Sequence, residues 1–413
     1  MHFYKKIAAN TFYQIIAQII SSGTSFVITI IIAKHFGILG YSDYAKTTAF
    51  VSLFYFLADL GLNAIFLQQE DAHLRFRDIF YARAVISIGL VLLVNGVALA
   101  LPFDAVHNTG FSPMVRIYIT IFSFTLITES ILYSAAAVFQ RKLVYKFLMI
   151  SSLFGSVISF AFVALFSLWG FPLKFILLAF AFGGIAESLS ALFFTDEELF
   201  PLKIDFGFVR KIAKETLPIT LMLLFNLIYF RIDMILLSIF RPGEDVAIYD
   251  ISYKVFDFLI ALPLFLSNVL YPMFLEAEKN RRKEKPKLIV YTLVFIGLGV
   301  LIAIPVWFMS PLLSFIRIEF IKSVIPLHIL LLSLPVFFAT SILQWLLIAK
   351  KQQLFLMYIY LFATALNIIL NVIFIPSYGY VASAIITGIS ELLVLLILFG
   401  KLFLQNEKNT NLY

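Results

Sequence analysis

The 413-residue sequence contains no cysteine and few charged residues. Without cysteine, the chain has no disulfide bond, no thiolate metal site and no cysteine nucleophile. Asp, Glu, Lys and Arg make up 13% of the residues, against about 25% in soluble domains. Hydrophobic residues make up 62% and aromatic residues 17%. This composition excludes an ordinary soluble domain and indicates a polytopic membrane protein.

Apolar segments recur along the whole chain. A hydrocarbon core of about 30 Å requires about 20 apolar residues in a helix. Twelve such segments are predicted, at residues 13–33, 44–67, 84–103, 115–139, 147–169, 172–194, 217–239, 247–275, 288–309, 324–348, 354–375 and 380–404. The predicted fold is therefore all-α, with about 12 transmembrane helices. No small-residue cleavage motif follows the first segment, so we expect it to remain as a helix.

Lys and Arg residues are divided unequally between the two sides of this topology. With a cytoplasmic N-terminus, 22 of the 31 basic residues lie in loops on that side and 6 in the opposite loops. Cytoplasmic loops carry an excess of Lys and Arg, so both termini are predicted to be cytoplasmic. The net charge of +7 is spread over short loops, which favours anionic lipid headgroups over nucleic acid as its partner.

Matching motifs occur in the same order in the two halves of the sequence. The longest polar connection, residues 195–215, separates six predicted helices from six. At offsets of 204 to 209 residues, four features recur: "KIAANT" (6–11) as "KIAKET" (211–216), Tyr44 as Tyr249, "WGF" (169–171) as "YGY" (378–380), and "GIAESL" (184–189) as "GISELL" (388–393). We predict two duplicated six-helix lobes, residues 1–200 and 201–413. Parallel repeats are typical of transporters with a substrate path between the halves, although a purely structural scaffold is an alternative.

Polar residues inside the predicted helices share single faces. Residues at i, i+4, i+7 and i+11 lie on one face, and four helices show this pattern: Gln14, Gln18, Ser21 and Ser25; Thr48, Ser52, Tyr55, Asp59 and Asn63; Asp250, Lys254 and Asp257; Tyr360, Thr364, Asn367 and Asn371. Ser and Thr there are typical of interhelical hydrogen bonds, worth about 0.6 to 2 kcal/mol. Charged residues cost about 2.5 to 3.5 kcal/mol at a helix centre, which favours a function for them.

Two oppositely charged pairs fall at a similar depth in the seventh and eighth predicted helices. Arg231 and Asp233 lie roughly 9 to 12 Å from the outer end of the seventh helix, at 1.5 Å per residue. Lys254 and Asp257 lie about as deep in the eighth helix, which runs the other way. The four side chains therefore form a predicted mixed-charge cluster. It either lines a substrate path or consists of internal ion pairs.

No catalytic or metal-binding set is apparent. Of the five histidines, only His328 falls within a predicted helix, and no carboxylate or second histidine stands at ligand spacing. Gly183 and Gly184 follow no strand and precede no Lys-Ser/Thr pair, so they form no phosphate-binding loop. We therefore expect a protein that is not an enzyme, has no catalytic residues or metal, and does not use ATP.

Three stretches resemble the polysaccharide exporters. Residues 366–391, "LNIILNVIFIPSYGYVASAIITGISE", carry two Asn four apart, then Pro-x-x-Gly, then small residues ending at a Glu. Residues 31–62 resemble the first hairpin of these exporters, and residues 230–255 resemble their seventh and eighth helices. The sequence is thus similar to the Wzx-type lipid-linked oligosaccharide flippases of the multidrug/oligosaccharidyl-lipid/polysaccharide superfamily.

This resemblance implies a V-shaped, MATE-like fold in a bacterial inner membrane. Such flippases move undecaprenyl-pyrophosphate-linked oligosaccharide units from the cytoplasmic to the periplasmic leaflet, for O-antigen, lipopolysaccharide or other surface polysaccharide. We expect alternating access without covalent chemistry. The expected partners are this substrate, membrane lipids, and polymerase and chain-length proteins of the same pathway, and we expect a monomer.

The chemistry of this substrate indicates which residues could bind it. An anionic pyrophosphate requires cations, whereas sugars require amides, hydroxyls and aromatic faces. The candidates for substrate binding are Arg231, Lys254, Arg83, Gln14, Gln18, Tyr55, Asn367 and Asn371. The candidates for binding a coupling H⁺ or Na⁺, or for balancing charge, are Asp59, Glu129, Asp233 and Asp257. Acidic residues within the helices are as numerous as basic ones, which argues against simple anion attraction.

Three alternatives remain at this stage. A drug/cation antiporter of the same superfamily is expected to have an acidic and aromatic cavity, which Arg231 and Lys254 argue against. A lipid II flippase usually has fourteen helices. An integral-membrane polysaccharide polymerase or acyltransferase usually has a long outer loop or a His/Asp catalytic set, and neither is seen here.

Overall fold

The computed structural model describes residues 2–59, 62–63, 72–197, 206–279 and 288–410, and these residues are almost entirely helical. The helices are α1 (His2–Asp59), α2 (Ala72–Ala100), α3 (Pro113–Ser123), α4 (Thr125–Lys142), α5 (Lys146–Leu168), α6 (Leu173–Thr195), α7 (Phe206–Phe240), α8 (Gly243–Lys279), α9 (Leu288–Met309), α10 (Val324–Ala349) and α11 (Gln353–Thr410). Two short 3₁₀ helices, Ser310–Phe315 and Ile318–Ser323, connect α9 to α10. The predicted all-α fold is confirmed.

Eight stretches of the described residues are long and apolar enough to cross a membrane. Two of these stretches lie in α1 and α11, each of which is interrupted by a non-helical glycine, Gly37 at φ 68° and Gly379 at φ 57°. A left-handed backbone of this kind is accessible to glycine at no steric cost. With α1 and α11 each divided, helices α1 to α11 overlap all twelve predicted segments, although α7 and α8 are not among the eight apolar stretches and residues 60–61 and 64–67 lie outside the described residues.

The chain divides into two compact units, Met1–Thr220 and Leu221–Tyr413. We call them the first lobe and the second lobe. The domain boundary predicted at residues 200/201 falls in a segment outside the described residues.

Small residues bring the helices of the first lobe close together. A Cβ at Gly155 of α5 would lie 2.6 Å from the Cβ of Glu187 on α6, and a Cβ at Gly184 of α6 would lie 2.5 Å from the hydroxyl oxygen of Thr128 on α4. Because lipid tails are as apolar as leucine, helices in membranes associate through such close packing rather than through the hydrophobic effect. These glycines therefore fix α4, α5 and α6 against one another.

The duplicated positions have the same local structure in the second lobe. Gly388, the counterpart of Gly184, packs against Ser333 on α10, with a built Cβ 3.1 Å from the serine Cβ. Gly170 and Gly379, which occupy equivalent turns, both have positive φ, 69° and 57°. Both lobes thus use a glycine against a hydroxyl-bearing residue and a left-handed glycine at the same places.

A short β-hairpin joins α2 to α3 in the first lobe. Its strands, Phe103–Asp104 and Thr109–Gly110, pair antiparallel. Gly110 has φ 80°, and a Cβ there would lie 2.0 Å from the carbonyl oxygen of Pro102, so only glycine fits. The following helix begins with Pro113, and the Ser112 side chain caps it by accepting a hydrogen bond from the Val115 amide at 3.2 Å.

Candidate functional site

Arg231 of α7 forms an ion pair with Asp257 of α8. The distance between Arg231 Nη2 and Asp257 Oδ2 is 2.9 Å, and both side chains are about one quarter exposed, at 27% and 26%. The guanidinium carbon lies 5.6 Å from the ring centroid of Tyr253, which adds a cation–π contact. The structure therefore brings these two predicted residues together as a neutralised pair.

Asp233, two residues further along α7, is buried and fully engaged. Its carboxylate accepts hydrogen bonds from the Tyr249 hydroxyl at 2.5 Å, the Met234 amide at 2.7 Å and the Thr387 hydroxyl at 3.3 Å. Tyr249 belongs to α8 and Thr387 to α11, so this carboxylate joins three helices of the second lobe. Asp233 lies in the lobe interior, and its three donors offset the cost of burying it.

Lys254 differs from Arg231, the other cation of the predicted cluster, in its lack of an ion pair among the described residues. It is partly buried on α8, and within the described ranges it forms no ion pair or hydrogen bond. Asp257, three residues along the same helix, is paired with Arg231 instead. Lys254 is therefore an uncompensated positive charge on a membrane-length helix, and such a charge is costly unless a ligand or water faces it.

Asn367 and Asn371 of α11 are buried within the second lobe. The Asn371 side-chain amide donates to the Asn367 side-chain oxygen at 2.7 Å, and the Asn367 amide donates to Ser390 Oγ at 3.4 Å. The second of these bonds joins the two halves of α11 across Gly379. Two buried oxygens nearby in the sequence, Asn371 Oδ1 and Ser383 Oγ, have no hydrogen-bond partner in the described part of the chain. The geometry gives both asparagines a packing role, and a sugar contact for them stays a prediction.

Glu391 and Glu187, which occupy equivalent repeat positions, each accept a hydroxyl hydrogen bond. Glu391 accepts from the Tyr229 hydroxyl at 3.0 Å, and Glu187 accepts from the Ser152 hydroxyl at 2.6 Å. Glu129 of α4 interacts electrostatically with Glu187. Among the described residues Glu129 has no hydrogen-bond partner. Its predicted coupling role stays a prediction.

Arg83 of α2 is wholly buried in the first lobe. Its Nη2 donates to Asp59 Oδ1 at 2.5 Å and to Asn63 Oδ1 at 2.7 Å, and its Nη1 donates to Ser134 Oγ at 3.2 Å. The Ser130 hydroxyl donates to the Arg83 carbonyl at 3.1 Å. The predicted substrate cation Arg83 and the predicted charge-balancing residue Asp59 thus meet, and they tie α1, α2 and α4 together.

The remaining predicted sugar partners all lie on α1, where Tyr55 is far along the helix from Gln14 and Gln18. The Tyr55 hydroxyl bonds to the Thr125 hydroxyl at 2.7 Å, whereas Gln14 hydrogen-bonds to Tyr145. Gln18 is exposed on the lobe surface, where its only described bond, 2.9 Å long, is to Ser22 one turn along. Of these three predicted residues, Gln18 is the most accessible to a ligand.

Sequence reasoning missed one buried cation, Lys46 of α1. Its Nζ donates to the carbonyl oxygen of Gly110 at 2.8 Å, and its side chain is almost fully buried. Asp43, one turn earlier, interacts electrostatically with it. This contact ties α1 to the β-hairpin. The acceptor is a backbone carbonyl 64 residues away, so no side-chain pattern in the sequence could have indicated it.

The fold and these buried charges indicate a multi-pass membrane protein with charged and polar groups inside its helices. Within the described ranges, no group of three or more His, Cys, Asp or Glu residues could hold a metal ion. The side chains instead supply one uncompensated ammonium, paired guanidiniums and several carboxylates held by hydroxyls. Such groups suit reversible binding of a charged, polar load.

Comparison with known families agrees with this class. Residues 7–278 match the family described as "Polysaccharide biosynthesis protein", and residues 218–373 match the family described as "MatE". The first match covers more than half of the chain. The chain therefore belongs to the polysaccharide biosynthesis protein family. A search among curated proteins gave no match.

Several solved structures share the fold. The lipid II flippase MurJ in an inward closed conformation has 15% sequence identity and a TM-score of 0.76, over 95% of this chain and 87% of that one. An inward-facing multidrug resistance MATE family transporter has 12% identity and a TM-score of 0.77, over 96% and 98%. A MOP superfamily transporter from Pyrococcus furiosus with a binding pocket of reverse polarity has 14% identity and a TM-score of 0.62, over 96% and 94%. At these identities the similarity concerns the fold.

Proposed function

We propose that this protein moves undecaprenyl-pyrophosphate-linked oligosaccharide units across a bacterial inner membrane, from the cytoplasmic to the periplasmic leaflet, for O-antigen or another surface polysaccharide. The observation that carries the proposal is the match of residues 7–278 to a polysaccharide biosynthesis family. The lipid-linked load fits a membrane protein whose fold is similar to that of a lipid II flippase. Both termini are cytoplasmic in this proposal, and the protein is not an enzyme.

The second lobe supplies the proposed contact for the pyrophosphate. Among the described residues Lys254 is the cation of the cluster without an ion pair, and Arg231 is neutralised by Asp257, which lies three residues from Lys254 on α8. An ammonium is a compact charge with three rotatable donors, which suits a phosphate that must bind and leave. Lys254 therefore makes the electrostatic contact in the second lobe, and Arg231 contributes only when its bond to Asp257 is shared.

Transport follows from alternating access in this proposal. The two duplicated lobes rock against each other and expose the bound headgroup to one leaflet and then to the other. The polyprenyl tail stays in lipid, so only the sugars and the pyrophosphate need a polar surface. Exposed polar groups such as Gln18 supply amides for the sugars.

A coupling cation is part of the proposal. The second lobe offers oxygens for this role: among the described residues Asn371 Oδ1 and Ser383 Oγ are buried without a hydrogen-bond partner, and Asp233 is a buried carboxylate. Hard cations take oxygen ligands of this kind. In this proposal a bound Na⁺ would supply positive charge, and Asp59, Glu129, Asp233 and Asp257 are candidates for a proton.

Deletion of the gene tests the proposed function. Cells lacking the protein should lose surface polysaccharide and accumulate lipid-linked single repeat units on the cytoplasmic side. Normal amounts of finished polymer on such cells would contradict the proposal. Restoring Lys254→Gln should recover little export, whereas Lys401→Gln should recover all of it. Lys401 is the control because it lies in the C-terminal part of α11, eighteen residues beyond Ser383, and its ammonium lies over the Phe355 ring, 4.9 Å from the centroid.

The similarity to MurJ favours a second candidate, transport of lipid II itself. The two candidates share the pyrophosphate and the polyprenyl tail and differ in the sugars. Expression of this chain in cells depleted of their lipid II flippase separates them. Restored growth would favour lipid II as the substrate, and continued lysis with a normal protein level would favour the oligosaccharide.

A further inference from the structure

Arg83 in the first lobe has an unequal distribution of hydrogen bonds. A guanidinium carries five N–H donors in a fixed fork. The two nitrogens Nη1 and Nη2 make all of its side-chain bonds, to Asp59, Asn63 and Ser134. Its Nε is buried and has no partner in the described part of the chain. Three of the five donors of this buried cation are therefore used, and Nε is its only nitrogen without a bond among the described residues, which is unfavourable for a buried polar group.

The unused donor lies on the edge of the guanidinium that binds oxyanions. Nε and Nη2 form one side of the fork, and a carboxylate or phosphate that bridges them makes two parallel bonds. Asp59 reaches Nη2 with a single oxygen, Oδ1, at 2.5 Å. Asp59 thus bonds to Nη2 and leaves Nε without an acceptor. An acceptor that bridges both nitrogens requires Asp59 to shift or to be replaced.

The partner of Arg83 is also the accessible member of the pair. The Asp59 side chain is 20% exposed, against 1% for Arg83. Asp59 ends α1 and Arg83 lies about three turns into α2, near the end of the lobe that is predicted to face the cytoplasm. An anion arriving from that side meets the carboxylate first and reaches the guanidinium only if the carboxylate moves.

We propose that Asp59 is a displaceable occupant of an oxyanion site on Arg83, and that a phosphoryl group of the lipid-linked load takes its place. This inference rests on the proposed function, because it assigns the second charged contact of the same pyrophosphate. Each phosphoryl group of the esterified pyrophosphate has two non-bridging oxygens that can bridge Nε and Nη2, and the pyrophosphate as a whole carries two negative charges against the one of a carboxylate. Displacement breaks the ion pair between the end of α1 and α2. Arg83 then keeps its hydrogen bonds to Asn63 and Ser134.

Competition between Asp59 and the phosphoryl group gives the test. The protein is purified in nanodiscs, and its affinity for undecaprenyl diphosphate is measured by native mass spectrometry and by the shift in unfolding temperature. Asp59→Asn removes the competing charge and keeps the shape of the side chain. It should bind the diphosphate about tenfold more tightly, equivalent to about 1.4 kcal/mol of relieved competition. Without ligand it should unfold at a lower temperature than the wild type, since Arg83 then lacks its counter-charge.

Two further variants distinguish the effect of the bidentate guanidinium geometry of Arg83 from the effect of charge alone. Arg83→Lys keeps a positive charge without the bidentate edge and should lose about tenfold or more in affinity for the diphosphate. Asp245→Asn is the matched control, because Asp245 also meets an arginine at one point, Arg241 Nε at 2.6 Å. The affinity of Asp245→Asn for undecaprenyl diphosphate should equal that of the wild type.

The outcomes distinguish this inference from the proposed function. If the wild type binds undecaprenyl diphosphate and Asp59→Asn binds it no more tightly, the pair is only a structural tie and the inference is overturned. A tenfold gain in Asp245→Asn as well would overturn it too, because the gain would then reflect net charge. If the wild type binds no undecaprenyl diphosphate at all, the proposed function itself is contradicted.

Discussion

The Tyr249 hydroxyl makes the shortest hydrogen bond to Asp233. Removing it is the most direct test of whether the buried Asp233 carboxylate stabilises the second lobe as a charged acceptor. Tyr249→Phe deletes the 2.5 Å bond to Asp233 Oδ2 and leaves the ring in place. The Met234 amide and the Thr387 hydroxyl remain as donors, at 2.7 and 3.3 Å. The Asp233 carboxylate therefore loses one of its three hydrogen-bond donors and keeps two.

Two ranges bound the expected cost. Hydrogen bonds to charged groups contribute about 1.5 to 3 kcal/mol, whereas bonds between membrane helices average about 0.6 kcal/mol and reach about 1.7. A charged acceptor that keeps two other donors belongs where these ranges meet. We expect Tyr249→Phe to lower the free energy of unfolding by about 1.5 kcal/mol.

Tyr253 provides the matched control on the same helix. Its hydroxyl donates to the neutral carbonyl of Phe230 at 3.0 Å, so Tyr253→Phe should cost about 0.6 kcal/mol. Reversible unfolding in mixed micelles of increasing SDS fraction measures both variants. Equal losses for Tyr249→Phe and Tyr253→Phe would refute the reasoning, because Asp233 would then behave as a neutral acceptor.

Two further predictions concern turns. Gly379→Ala should destabilise the second lobe by about 1 to 3 kcal/mol in the same assay, because φ is 57° there and the new Cβ would lie 2.8 Å from Asp245 Oδ2; Gly400→Ala, with no atom within 4 Å, should have no cost from contact, and equal losses would contradict the steric account. In the β-hairpin, the hydrogen bond from His107 lowers the pKa of the Asp104 carboxyl below its usual value, so the stability it adds is present above the ordinary pKa and is lost as the pH falls through the lowered one. Amide hydrogen exchange in the hairpin should show this loss on acidification, and His107→Ala should reduce the pH dependence without abolishing it, because the backbone amides of residues 106 and 107 still donate to Asp104.

The presence of the helices, and the limits of two of them, could be predicted because the bilayer imposes them, whereas α7 begins at Phe206 instead of the predicted 217. An apolar segment of about 20 residues has few alternatives to a membrane helix, and α9 (Leu288–Met309) and α10 (Val324–Ala349) lie within a residue of the predicted 288–309 and 324–348. The left-handed Gly379 follows from the same sequence, since a turn between two antiparallel helices needs a residue that tolerates positive φ.

The pairing of charges could not be predicted, because it depends on contacts distant in sequence. Arg83 and Arg231 were equal candidates for substrate contact, yet each meets a carboxylate 24 to 26 residues away, Asp59 and Asp257. Lys254 differs from them only in the absence of such a partner among the described residues. Helical periodicity gives the face of a residue but not its neighbour on the next helix, so only packing distinguishes a compensated cation from a free one.

The pairing of Arg83 with Asp59 has a consequence for biosynthesis. Both residues belong to the first lobe, which ends at Thr220. Translation of residues 221–413 takes roughly 10 to 40 s at about 5–20 residues per second. During that interval the first lobe is already in the bilayer without the second. A buried guanidinium whose counter-charge came from the second lobe would remain uncompensated for this whole period. Because Asp59 precedes Arg83 in the chain, the nascent protein acquires the charge and its compensation together.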